Sequence, residues 1–161
     1  MHSSTFRTLL LAVVLTGVLA LPAEAQRTSG AVGLGGQIGE PSGLTLKVYN
    51  EGAPSYDFLA AWSFADDFFF LNAHAQWNQD LNAQNVNQGF EWFFGPGAFI
   101  GVADRDDSQD DEAVLGVSGR VGLNFIINQQ FEIYGQVTPR ISVIPDTEGN
   151  VGGGLGFRYY F

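Results

Sequence analysis

The chain has 161 residues, no cysteine, 21 glycines, 14% aromatic residues and a formal net charge of −10. That length is one domain, able to bury a core unaided; the missing cysteine excludes disulfide frameworks, thiolate metal centres and acylated-cysteine anchors. Seven Lys and Arg scattered singly do not make the positive patch that nucleic acid requires, and the aromatic content is too high for disorder.

The chain opens with His2 and Arg7, an apolar run from Leu9 to Leu21, Pro22, and the small-x-small triplet Ala23-Glu24-Ala25. This is the pattern of a secretory signal peptide over residues 1–25, leaving a single domain over 26–161. The apolar run is shorter than the roughly 20 residues of a membrane helix, and Thr16-Gly17 interrupts it.

After Gln26 apolar residues recur at every second position, not at helical spacing. Polar or turn-forming separators divide the chain into eight runs, at 31–39, 44–50, 56–64, 68–78, 90–102, 113–126, 131–144 and 151–161. The reading is all-β. One face of the runs carries residues such as Leu34, Leu46, Phe58, Leu71, Trp92, Val121, Ile133 and Phe157, and no charge. The other carries Gln37, Thr45, Lys47, Asp57, Asn72, His74, Gln76, Glu91, Ser118, Arg120, Asn124, Glu132, Gln136, Arg140 and Arg158, with many glycines. Pro96 and Pro139 fall inside strands, where each removes a ladder hydrogen bond and is expected to mark a bulge.

A soluble barrel or sandwich would turn the apolar face inward, whereas a transmembrane barrel turns it toward lipid and keeps polar groups in the lumen. The small residues on the polar face suit a narrow lumen. The run lengths cluster near the ~9–11 residues of a tilted membrane strand. With strand one running upward, the lower ends carry Tyr56, Phe58, Trp77, Phe90, Trp92, Phe125, Phe131, Tyr159 and Phe161, an aromatic girdle; Trp62, Phe64 and Phe69 mark the upper one. The same trace puts Glu40, Asp66-Asp67, the acidic stretch 104–112, Asp146 and Glu148 at the upper end.

The chain ends Gly156-Phe157-Arg158-Tyr159-Tyr160-Phe161. This resembles the C-terminal signal that bacterial outer-membrane barrels present to their assembly machinery, with Gly156, Tyr159 and Phe161 at its key positions. The segment from Gly39 to Lys47 is similar to a turn and strand of small outer-membrane barrels. The mature chain as a whole resembles the family of small eight-stranded outer-membrane barrels typified by the OmpA transmembrane domain and OmpX. The resemblance implies an eight-stranded antiparallel up-and-down transmembrane β-barrel in the outer membrane after export, without the peptidoglycan-binding domain of full OmpA. Its implied partners are outer-membrane lipids, lipopolysaccharide and the barrel-assembly machinery, and a monomer is expected.

An eight-stranded interior is just filled by side chains. Inward Lys47, Arg120, Arg140 and Arg158 nearly balance Asp57, Glu91 and Glu132, and buried charges must be paired, so an ion-pair plug closing the lumen is expected. His74 is expected to be satisfied by the amides of Asn72 and Gln76; Ser63, on the inner face of the neighbouring strand, is the alternative hydroxyl partner, and no catalytic residue or cofactor is expected. Asp104, Asp106, Asp110 and Glu112 are candidate Ca²⁺ ligands, since hard cations take several carboxylate oxygens. Their stretch lacks the glycine and the final glutamate of a calcium loop. The function expected is a non-enzymatic structural or surface-exposed barrel with short acidic loops. A narrow transport or ligand-binding barrel, or a soluble secreted or periplasmic one, are the alternatives.

Overall fold

The computed structural model describes residues 27–63, 68–81, 89–103 and 112–161. The expected leader, Phe64, Asp66-Asp67, Asp104, Asp106 and Asp110 lie outside them. Eight strands follow in chain order: β1 (Val32–Glu40), β2 (Ser42–Val48), β3 (Ser55–Ser63), β4 (Phe68–Asp80), β5 (Phe90–Ala103), β6 (Glu112–Ile127), β7 (Phe131–Ile144) and β8 (Glu148–Tyr160). Each pairs antiparallel with the next and β8 returns to β1, closing the barrel. Closure is what satisfies a sheet with two edges and no covering helix. Residue 27 and Phe161 share the lower end.

Two boundaries differ from the sequence reading. Glu40-Pro41-Ser42-Gly43 reads as a separator, yet only Pro41 separates β1 from β2. Ser42 Oγ donates to the Gly39 carbonyl at 2.9 Å and accepts from the Gly39 N–H at 3.2 Å, replacing turn residues with a side-chain clamp. Residues 148–150 join β8 because Ser142 Oγ accepts from the Glu148 N–H at 3.2 Å, drawing the hairpin together above the expected run.

The period-two pattern sorts as the two faces predict. Leu44, Phe58, Leu71, Val117, Leu123, Ile133, Val137 and Phe157 are exposed on the outside, while Lys47, Asp57, Gln76, Glu132 and Arg158 are fully buried inside. Such a continuous apolar wall is the opposite of a water-soluble barrel, which keeps its large apolar patches covered. The soluble alternative is therefore set aside by the orientation of the side chains. Outer rings meet along the lower end: Phe90 with Phe125 at 4.6 Å, Phe131 with Tyr159 at 5.0 Å, and Tyr159 with Phe161 at 4.9 Å between centroids.

Inside, the upper lumen is apolar: Leu59, Ala61, Phe70 and Phe99 form a buried cluster with Val114 against it. Four inward rings lie over glycines directly opposite them on the neighbouring strand, Phe93 over Gly122, Phe99 over Gly116, Tyr134 over Gly156 and Tyr160 beside Gly33. The glycines thus supply the floor on which rings lie flat in a lumen too narrow for two side chains at one level.

The prolines behave differently from expectation. Pro96 and Pro139 stay in register, opposite Gly119 and Val151 respectively. Each instead coincides with a pairing gap on its other side, at residues 75–76 of β4 and 119–120 of β6. The register shift lies elsewhere, between Leu115 and Gly116.

Candidate functional site

The lower and middle lumen hold the charges. Strand alternation aims Lys47 (β2), Asp57 (β3), Glu91 (β5), Arg120 (β6), Glu132 (β7) and Arg158 (β8) at one axis, and the narrow barrel brings all of them except Glu91 into contact. Arg158 is the hub. Its Nη1 donates to Glu132 and its Nη2 to Asp57, while Nε and Nη2 donate to Thr45 Oγ1 at 3.0 and 2.8 Å. The Tyr134 ring lies 4.0 Å from its guanidinium carbon. Arg120 Nη1 donates to the other oxygen of Asp57, so that one carboxylate is held by two arginines across the lumen.

Glu132 is held by four groups. Besides Arg158, the Tyr160 hydroxyl donates to its Oε2 at 2.6 Å, Lys47 Nζ stands 3.7 Å from the same oxygen, and Arg27 Nε stands 4.0 Å from it. Lys47 also donates to Asn78 Oδ1 at 3.1 Å. Charges removed from water are tolerated only with this density of pairing and hydrogen bonding, and mutual polarisation in a low-dielectric interior strengthens such a network.

Arg140 does not join it. Its Nε donates to Asn150 Oδ1 at 2.9 Å and its guanidinium stands 5.2 Å over the Phe70 ring; among the described residues no carboxylate lies within ion-pair distance. Its strand position, eight residues above Glu132, places it beside the apolar cluster instead.

Sequence reasoning missed Arg27, which precedes the first strand and so carries no periodicity signal. Its side chain is 5% exposed. Nη1 and Nη2 donate to the two oxygens of Glu91 at 2.6 and 2.7 Å, a bidentate pair. Its guanidinium lies 4.0 Å over the Tyr49 ring and its Nε 4.0 Å from Glu132 Oε2. Burial works against the Arg27 charge, but the bond to Glu91 and the field of Glu132 outweigh it and hold the guanidinium above its ordinary pKa. Burial also raises the Tyr49 phenol, against the pull of Arg27.

His74 accepts a different partner from the amides expected. Its Nε2 and Ser118 Oγ are 3.0 Å apart, while the side-chain polar atoms of Asn72 and Gln76 and His74 Nδ1 are buried with no hydrogen-bond partner among the described residues. Of the candidate calcium ligands, Asp104, Asp106 and Asp110 are outside the described residues and Glu112 is the first residue of β6; among the described residues no cluster of His, Asp and Glu could hold a metal ion. Gly156 faces inward beneath Tyr134, whereas Tyr159 and Phe161 form part of the outer ring cluster.

No family model matches the chain, and no curated protein matches it in sequence. Solved structures do. The N-terminal β-barrel domain of Pseudomonas aeruginosa OprF superposes with a TM-score of 0.61 at 13% identity, covering 86% of this chain and 100% of that one. Neisserial surface protein A aligns at a TM-score of 0.49 and the attachment invasion locus protein Ail of Yersinia pestis at 0.42, both at 13% identity over 81% of this chain and 94% of theirs. The chain is thus an eight-stranded closed barrel of the fold shared with the OprF N-terminal domain.

Proposed function

We propose that this protein is an integral outer-membrane barrel with a structural, non-enzymatic role, its lumen closed by ion pairs and its upper end presenting short acidic connections. The observation that carries the reading is the pairing of an apolar outer wall with Arg158, Arg120, Asp57 and Glu132 locked across a buried lumen. The fold shared with the OprF domain supports the location. Residues 1–25 serve as the export leader, and lipopolysaccharide and membrane lipid surround the wall. Gly156, Tyr159 and Phe161 act as the assembly signal, a reading supported by the contact between the rings of the last two at the lower end.

Fractionation is expected to recover the protein in the outer membrane, migrating faster on gels before boiling than after. Planar-bilayer recording of the purified protein should give no steady conductance; reproducible open channels would overturn the closed lumen. A second reading, a narrow polar pathway, is favoured by one feature, the side-chain polar atoms of Asn72 and Gln76 and His74 Nδ1, in line on β4 and without a hydrogen-bond partner among the described residues. The same recordings separate the two.

A further inference from the structure

The lower mouth is tied by a residue that belongs to no strand. From its place before β1, Arg27 reaches Glu91 on β5, the strand diametrically opposite in an eight-stranded barrel. The segment that carries it is hinged on the β1–β2 ladder. Gly30 N–H donates to Tyr49 O at 2.7 Å and Tyr49 N–H to Ala31 O at 2.9 Å, while before Gly30 the Arg27 N–H donates to Gln129 O at 3.1 Å in the β6–β7 turn, Ala31 N–H to Thr28 O at 2.9 Å, and Ser29 Oγ accepts from the Glu51 N–H at 2.7 Å. Gly30 turns the chain with φ of 93°, a conformation that other residues rarely adopt.

The surroundings of the guanidinium suit that group specifically. A carboxylate offers both oxygens to a planar fork, an aromatic face lies 4.0 Å away at Tyr49, and a second carboxylate oxygen stands 4.0 Å from Nε at Glu132. An ammonium has no fork to match Glu91 and stacks less well on a ring. Beside the guanidinium lies a polar hollow lined by Asp80, Glu91, Asn128 and Gln129, so the site borders the lower mouth.

We propose that Glu91, Tyr49 and Glu132 form a guanidinium-binding cage, that Arg27 is its intramolecular ligand, and that residues 27–29, hinged at Gly30, are a strap which a guanidinium-bearing ligand from the lower side displaces. The tether gives Arg27 a high effective concentration at the cage, so the strap is closed by default. Displacing it frees the lower mouth, while Glu132, which the cage shares with the Arg158 network, keeps Arg158, Lys47 and the Tyr160 hydroxyl.

The chain has no cysteine, so a spin label on Ser29→Cys is the single label in the protein; the bond from the Glu51 N–H that the substitution gives up is lost equally in every arm. In the full barrel, checked by its heat-modifiable band, the label is expected to be immobile. It should become mobile with Glu91→Gln or Arg27→Ala. Without either change, methylguanidinium at tens of millimolar should mobilise it, while methylammonium at the same concentration should not. A label that stays immobile in Glu91→Gln, that ignores methylguanidinium, or that responds equally to both cations overturns the proposal. The competition arm needs no substitution in the cage, so a variant that fails to fold leaves the test intact.

Discussion

Gly156 sits directly opposite Tyr134 on the β7–β8 ladder, and a Cβ at position 156 would lie 2.3 Å from the Tyr134 hydroxyl oxygen. The ring has no room to yield: it is 1% exposed, Arg158 stacks on it at 4.0 Å, and its hydroxyl donates to Gln37 Oε1 at 3.4 Å. Gly156 is therefore part of the lumen packing, whatever its part in assembly.

Gly156→Ala should destabilise the barrel by about 1–3 kcal/mol, the usual cost of overpacking a filled interior. Gly119→Ala is the control, because a Cβ there meets only Pro139 Cγ at an ordinary 3.8 Å. Urea titration in phospholipid vesicles, read by the gel-shift between folded and unfolded bands, measures both. Equal effects at the two sites would sink the argument that the ring above Gly156 sets the cost.

How much of this was legible in the sequence depends on what each residue's signal rested on. Period two gave the strands and the faces of Lys47, Asp57, Glu132 and Arg158, because alternation is a local property of a strand. The partnership of Arg158 with Glu132 follows from adjacent antiparallel strands. That of Arg120 with Asp57 does not, since it crosses the lumen between β6 and β3 and depends on closure. Arg27 lay outside every run. The inward rings of Phe93, Phe99, Tyr134 and Tyr160 were hidden because the aromatic signal pointed to the outer wall; their cross-strand glycines were the clue, visible once registers are known.

The hub arrangement predicts an order of sensitivity within the network. Arg158→Met leaves both Asp57 and Glu132 short of a partner in a buried site, and breaking a buried pair on one side costs about 3–5 kcal/mol. Lys47→Met should cost less, because Glu132 keeps Arg158 and the Tyr160 hydroxyl. The same unfolding titration ranks them; a larger loss at Lys47 than at Arg158 would show that the hub lies elsewhere.

The prolines give a prediction of opposite sign. In an antiparallel ladder each residue directs its N–H and C=O toward one neighbour only. Pro139 pairs without interruption with Val151 on β8, and the gap lies on the β6 side, at residues 119–120. The nitrogen that cannot donate therefore faces Gly119, whose carbonyl is left short of a bond in a wall that meets hydrocarbon, where an unsatisfied backbone group costs several kcal/mol. Pro139→Val restores that donor. It also gives up the restriction that proline places on the unfolded chain, worth about 0.4–1 kcal/mol. The restored hydrogen bond outweighs that loss, so the variant should gain roughly 1 kcal/mol or more in the vesicle titration. Faster exchange of the backbone amides around 119–120 than of those in the uninterrupted β5–β6 ladder should accompany it in the unaltered protein and fade in the variant. No gain in stability and no change in exchange would mean that strand curvature at Gly119, and not the missing donor, keeps the two strands apart.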